Sequence, residues 1–257
     1  MPTFTPYYYA PWEPGGVYHV YNRATHRDRL FVQRSDHFKF REKVLARVAQ
    51  VMEVFSYALV LNHFHSAVRL PREAPLRARL LDTPKPSKPE AAYLAGELTY
   101  NQLFGFYWGN ALKSYSQSVN KRRKERSGAL YESMVRRIRV RGDLLSRSLV
   151  MYHHTNEMHH GIADTFRKQH ERTSFGAYLD PSLAHFLTTA PVLERFGGLE
   201  AMVAKHEVYV RRFGTDLRAF DERKYFGYGQ PLAPKAPFAT WLDDAWLAEG
   251  PAPASGA

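Results

Sequence analysis

Two histidines one residue apart, His63 and His65, are side chains whose type and spacing suit metal chemistry. They stand in Tyr57-Ala58-Leu59-Val60-Leu61-Asn62-His63-Phe64-His65-Ser66-Ala67-Val68-Arg69-Leu70, where two apolar runs flank Asn62. Side chains on a β-strand alternate faces, so both imidazoles project to one side and Phe64 to the other. Two imidazoles on one face can grip a divalent ion, while Phe64 anchors the strand in a core from behind. The 12 histidines in 257 residues produce roughly half a His-x-His pair by chance, so the pair alone decides little. Its weight comes from a second cluster, Met151-Tyr152-His153-His154-Thr155-Asn156-Glu157-Met158-His159-His160-Gly161. On a helix, at roughly 100° per residue, Tyr152 and Asn156 lie almost above one another. Any of His153, His154, His159 and His160 could also reach an ion held by the strand pair.

These residues need elements to position them. Met1 to Gly16, rich in proline and aromatics, reads as an irregular lead-in; Val17-Tyr18-His19-Val20-Tyr21-Asn22-Arg23 has the content of a first strand. Ser35 can cap a helix from Asp36 to about Gln50, with Phe38, Phe40, Val44, Leu45 and Val48 mostly on one face. Val51 to Val60 reads as a second strand and His63 to Leu70 as a third. The proline-rich Pro71 to Pro89 reads mostly as exposed loop. Helical character returns from Glu90 to Val119, and Leu130 to Val140 reads as a fourth strand. That order predicts an α+β fold: a ferredoxin-like split βαβ antiparallel sheet with helices on one face. A further helix starts near Asp143 and ends at His160-Gly161.

Charge narrows the partner. The formal net charge is +11, from 36 Lys+Arg against 25 Asp+Glu, and such an excess points to a polyanion. Lys121, Arg122, Arg123, Lys124 and Arg126 form one basic run; Arg136, Arg137 and Arg139 lie along the fourth strand, and Arg23 ends the first. No apolar run approaches the ~18 residues a spanning helix needs, and the N-terminus lacks the pattern of a signal peptide. With no cysteine, disulfides and thiolate metal sites are excluded, which fits a cytoplasmic protein. Nucleic acid is the expected partner.

The combination resembles the single-tyrosine HUH transposases, particularly the REP-associated tyrosine transposases and related insertion-sequence transposases. The similarity rests on the first strand Tyr18 to Arg23, on Asn62-His63-Phe64-His65, and on the basic stretch Val119-Asn120-Lys121 to Gly128-Ala129-Leu130. It closes on the Tyr152-to-Gly161 helix end and covers about Gly16 to Tyr178. Two positions depart from the pattern: Leu61 replaces the usual proline before Asn-His, and Glu157 replaces the usual proline after Asn.

The resemblance implies an HUH endonuclease fold over residues 17–178; composition and apolar pattern, not the resemblance, read 1–16 as a lead-in, 179–250 as a mostly helical extension and 251–257 as a disordered tail. The resemblance also implies a nucleoid-associated, prokaryotic enzyme that cleaves and transfers single-stranded DNA through a 5′-phosphotyrosine intermediate. Carried over by position, Tyr152 is the nucleophile, and His63, His65 and Asn156 hold Mg²⁺ or Mn²⁺. Arg23, Lys121, Arg122, Arg123, Lys124, Arg126, Arg136, Arg137 and Arg139 are the expected DNA contacts. The expected partner is single-stranded DNA carrying a hairpin, bound by a monomer or homodimer. The chemistry is coherent: a phenol of pKa ~10 is a poor nucleophile, and a divalent ion stabilises charge developing on the phosphate.

Taken singly, each feature has an ordinary explanation. Tyr152 is one of 16 tyrosines, and Asn156 lies near a helix end. In this order and with this charge, the catalytic reading is favoured. The alternative is a non-catalytic DNA-hairpin-binding protein descended from such an enzyme, which needs none of His63, His65, Tyr152 and Asn156. A two-histidine phosphoesterase ranks last, because no convincing pair of His-x-Thr/Ser motifs occurs.

Overall fold

A computed structural model of the chain describes residues 9–25, 28–124, 126–163, 165–166 and 172–213. The first eight residues of the lead-in, and the extension and tail past 213, lie outside the described residues. Four strands, β1 (Val17–Arg23), β2 (Glu53–Val60), β3 (His63–Arg69) and β4 (Arg136–Val140), form one sheet in the order β2-β3-β1-β4. Every pairing is antiparallel. A split βαβ unit requires this order, because β3 returns between the two strands that its first helix connects.

That first crossover is α1 (Arg34–Phe40), a π-helical turn (Arg41–Leu45) and the short α2 (Ala46–Val48). The helix starts earlier than the Ser35 cap predicts. Gln33 is the N-cap, joined to Asp36 in a capping box. Two helices also stand where prolines suggest a loop, α3 (Glu73–Leu81) and α4 (Lys88–Leu94). Pro75 and Pro89 both fall in a first turn, where a missing N–H breaks no helical bond. Ser87 and Glu90 close a capping box on α4. The long α5 (Tyr100–Arg122) makes the second crossover. β4 begins only at Arg136, so the expected first half of that strand is irregular chain, tied by a bridge between Ala24 and Tyr131.

The two faces of the sheet carry different cores. On one, Tyr18, Val20, Leu59, Phe64 and Val68 pack against Phe40, Val44, Leu45, Phe104, Trp108 and Tyr115 of α1, the π turn and α5. Phe64 is fully buried, its ring centroid 4.8 Å from Phe40. The other face is covered by α6 (Asp143–His159), then α7 (Phe175–Leu179), α8 (Ala190–Phe196) and α9 (Leu199–Phe213). Phe55, Met151, Tyr152, Phe175, Tyr178, Phe196, Met202 and Tyr209 share this second core, so it runs across residue 178 into the extension. Register decides what this face offers. Tyr21 pairs with His65 and with Arg136, His19 with Ala67, and Arg23 with His63. His19, Tyr21, His63 and His65 therefore share the face on which α6 lies.

Candidate active site

Three elements meet at the buried histidines. β1 contributes His19, β3 contributes His65, and α6 contributes His153, each at most 2% exposed. His19 Nε2 and His65 Nδ1 are 2.9 Å apart, and the His153 ring centroid lies 5.3 Å from His19 and 5.9 Å from His65. One nitrogen from each ring lies within 4.8 Å of the other two, so the triad can hold a metal ion. Ser56 Oγ sits 2.8 Å from His153 Nδ1, while His153 Nε2 is buried without a partner. A β-bulge between Val54 and Ser56 turns that hydroxyl toward α6. Burial, then the neighbouring His19, His65 and His154, holds the His153 imidazole well below its ordinary pKa. It is therefore neutral near pH 7, with a lone pair to offer.

Tyr152 lies over this triad. Its side chain is fully buried, with ring centroids 5.6 Å from His65, 5.8 Å from His153 and 5.2 Å from His159. One helical turn on, Asn156 is equally buried, and both atoms of its amide lack a partner. An unpaired buried polar group costs about 1–3 kcal/mol, so an amide left this way calls for a ligand, ion or water.

The motif histidine His63 comes to the same face but to its rim. Its ring stands edge-on to His65 at 4.9 Å, its Nδ1 is 2.8 Å from Asn62 Oδ1, and the exposed His160 is 4.9 Å away. The other histidines of α6 turn elsewhere. His154 meets His206 of α9 at 2.9 Å and Ser174 at 3.0 Å, and His159 lies 3.1 Å from Thr155 and 3.3 Å from Tyr209. Glu157, the departure from the motif, is paired with Arg172 at 2.7 Å. Burial raises its pKa and Arg172 opposes that shift.

The chain is similar to a solved tyrosine transposase. That structure, described as a REP-associated tyrosine transposase bound to a REP hairpin, shares 14% identity over 71% of this chain and 88% of that one, with a TM-score of 0.47. No family profile matches the chain, and no curated protein does.

The basic residues separate into different environments. Arg122 and Arg123 both grip Asp36, which is 1% exposed, and Arg123 also donates to the carbonyls of Arg29 and Leu30. Arg126 pairs with Asp28 at 2.5 Å and donates to Asn120 Oδ1 and the Ala129 carbonyl. Much of the expected DNA-contacting run is thus tied to the fold, whereas Lys121 and Lys124 are exposed. On β4 the alternation divides the arginines. Arg137 stacks over Trp12 at 4.7 Å and donates to the Ala10 carbonyl, and Arg139 pairs with Glu13, both beneath the lead-in. Arg136 shares the histidine face, where it and Arg23 flank Glu132 at 3.6 and 3.8 Å.

His19 is the functional candidate that motif reasoning leaves out. Its signal is in the sequence: period two puts it on the same face as Tyr21. Only the β1–β3 pairing reveals that this is also the face of His65. Among the described residues, no helix is long and apolar enough to cross a membrane.

Proposed function

We propose that this chain cleaves and rejoins single-stranded DNA through a 5′-phosphotyrosine formed on Tyr152, at a site that holds a divalent ion, Mg²⁺ or Mn²⁺. The observation that carries this reading is Tyr152 packed against three buried imidazoles, with the unpaired amide of Asn156 one turn away. Binding DNA alone requires no such buried cluster. His65 is common to two donor sets: one with His63 and Asn156, from the motif, and one with His19 and His153, from the geometry.

A divalent ion bound there would supply Lewis-acid polarisation of the phosphate's non-bridging oxygens. The protein's own residues do the rest. Tyr152 Oη attacks phosphorus while its phenolic proton passes to a base that holds no metal; His159, in neither donor set, has its ring 5.2 Å from Tyr152. The P–O3′ bond breaks, the 3′ oxygen takes up a proton and leaves as a 3′-OH, and the 5′-phosphate stays on the tyrosine. A 3′-OH can later reverse the step without ATP, because the phosphodiester is replaced by another phosphate ester. Tyr152 is covered in this structure, so strand entry has to displace side chains between α6 and the sheet.

The substrate is proposed to be a DNA hairpin with a single-stranded flank. A base-paired phosphate is hard to bring between a tyrosine and a buried imidazole cluster, whereas duplex phosphates of a stem suit basic residues outside it. The test uses end-labelled hairpin with flank, plain single strand and plain duplex, each incubated with divalent ions and resolved on a denaturing gel. A protein-linked label is expected on the flanked hairpin and none on plain duplex. Tight hairpin binding with no adduct under any ion would replace this reading with a binding-only protein.

Lys121 and Lys124 are the expected phosphate contacts of the basic run. Neutralising both should flatten the slope of log K against log salt by about one and a half units, at ~0.7–0.9 per contact. An unchanged slope, measured by fluorescence anisotropy across a salt series, would return them to the solvated surface.

A further inference from the structure

The donor set of the buried cluster is all nitrogen. Among the described residues, the group that could hold an ion is His19, His65 and His153, and no carboxylate belongs to it. Glu157 is committed to Arg172. Mg²⁺ prefers oxygen ligands and gives up water reluctantly, whereas imidazole suits first-row transition ions. The spacing fits such an ion. Two nitrogens each about 2.0–2.1 Å from one metal stand roughly 2.8–3.4 Å apart at octahedral to tetrahedral angles, and His19 Nε2 and His65 Nδ1 are 2.9 Å apart, near the octahedral end.

A plain hydrogen bond between two histidines accounts for that distance but not for the third ring. His153 is brought to the pair by α6, held through Nδ1 by Ser56, and left with a buried Nε2 that has no partner. An outer-shell group on one ring nitrogen, freeing the other, is the usual arrangement around a metal-binding imidazole. We propose that His19, His65 and His153 form a site for a first-row transition-metal dication such as Mn²⁺, Co²⁺ or Zn²⁺, selective against Mg²⁺. The proposal deepens the reading above, naming the ligands and ion class of the same site. It makes His19 a ligand and places His63 and Asn156 outside the set that anchors the ion.

The full-length chain, stripped with a chelator, is titrated with Co²⁺ and followed by visible absorption. One equivalent should bind, and a large excess of Mg²⁺ should not displace it. His19→Gln and His153→Gln should each weaken Co²⁺ binding by about 100-fold, and Ser56→Ala by about tenfold. His63→Ala should leave Co²⁺ affinity little changed. Far-UV circular dichroism of each variant identifies any that fails to fold, and the wild type provides a measurement free of variants. Its Co²⁺-loaded form should show three hyperfine-shifted imidazole N–H proton signals. Two signals, together with loss of binding in His63→Ala, would overturn the ligand set in favour of the motif pair. Displacement of Co²⁺ by Mg²⁺ would overturn the ion class. Co²⁺ bound as stated by a chain that never captures DNA would reject the proposed function and leave this site standing.

Discussion

Tyr152→Phe should abolish covalent capture of DNA while leaving affinity for the flanked hairpin nearly unchanged. The substitution removes one oxygen from a fully buried ring that packs on His19, His65, His153 and His159, and phenylalanine keeps that packing. No other group at that position can become the 5′-phosphate ester. Loss of an attacking nucleophile lowers turnover on the order of 10⁴- to 10⁶-fold, because the remaining groups have nothing to activate. The measurement pairs a denaturing-gel assay for the protein–DNA adduct with an anisotropy titration of the same oligonucleotide. An adduct that persists in the phenylalanine variant would move the nucleophile to another tyrosine. Tyr21 is the next candidate, with its ring 6.1 Å from His65 on the same face.

The second large effect concerns stability and comes from a residue with no part in the chemistry. Asp36→Ala should destabilise the fold by on the order of 3 kcal/mol, the scale for stripping one partner from a buried ion pair. Asp36 is 1% exposed, accepts from the backbone N–H of Val32 and Gln33, and is gripped by Arg122 and Arg123. The two guanidinium groups are partly solvated, which keeps the figure at the lower end of that scale. Burial by itself raises the carboxyl pKa, but the Val32 N–H, the Arg122 guanidinium and the Gln33 N–H outweigh it and leave the net value below normal. A depressed folded-state pKa means the stabilisation is complete above the ordinary carboxylate pKa of about 3.9 and is lost as pH falls through the lower folded value. Urea denaturation at neutral pH should show a lower midpoint at unchanged m, and the gap to wild type should shrink in acid. A shift under about 0.5 kcal/mol would mean that the clip carries no stability. The same geometry affects any DNA-binding test of the basic run: alanine at Arg122 or Arg123 perturbs the fold as well as the surface, which Lys121 and Lys124 avoid.

What the sequence determined by itself was local. Period-two alternation around Phe64 placed His63 and His65 on one face, and a four-residue spacing placed Tyr152 and Asn156 on one side of α6; neighbouring backbone geometry suffices for both. The order of strands and helices was equally legible, because apolar periodicity is a property of each segment. Prolines misled between Pro71 and Pro89, where two of them occupy first turns and the capping box at Ser87 and Glu90 outweighs composition. Tertiary structure alone decided which side chains meet. His19 reached His65 because β1 pairs with β3, and His153 joined them because α6 lies across that face with Ser56 behind it. The partners of charge were also decided there. Arg122, Arg123 and Arg126 read as a free cationic run until Asp28 and Asp36, remote in the chain, came within hydrogen-bonding reach. A side chain's type is written at its own position, but its partner depends on how distant segments pack, and no local pattern records that.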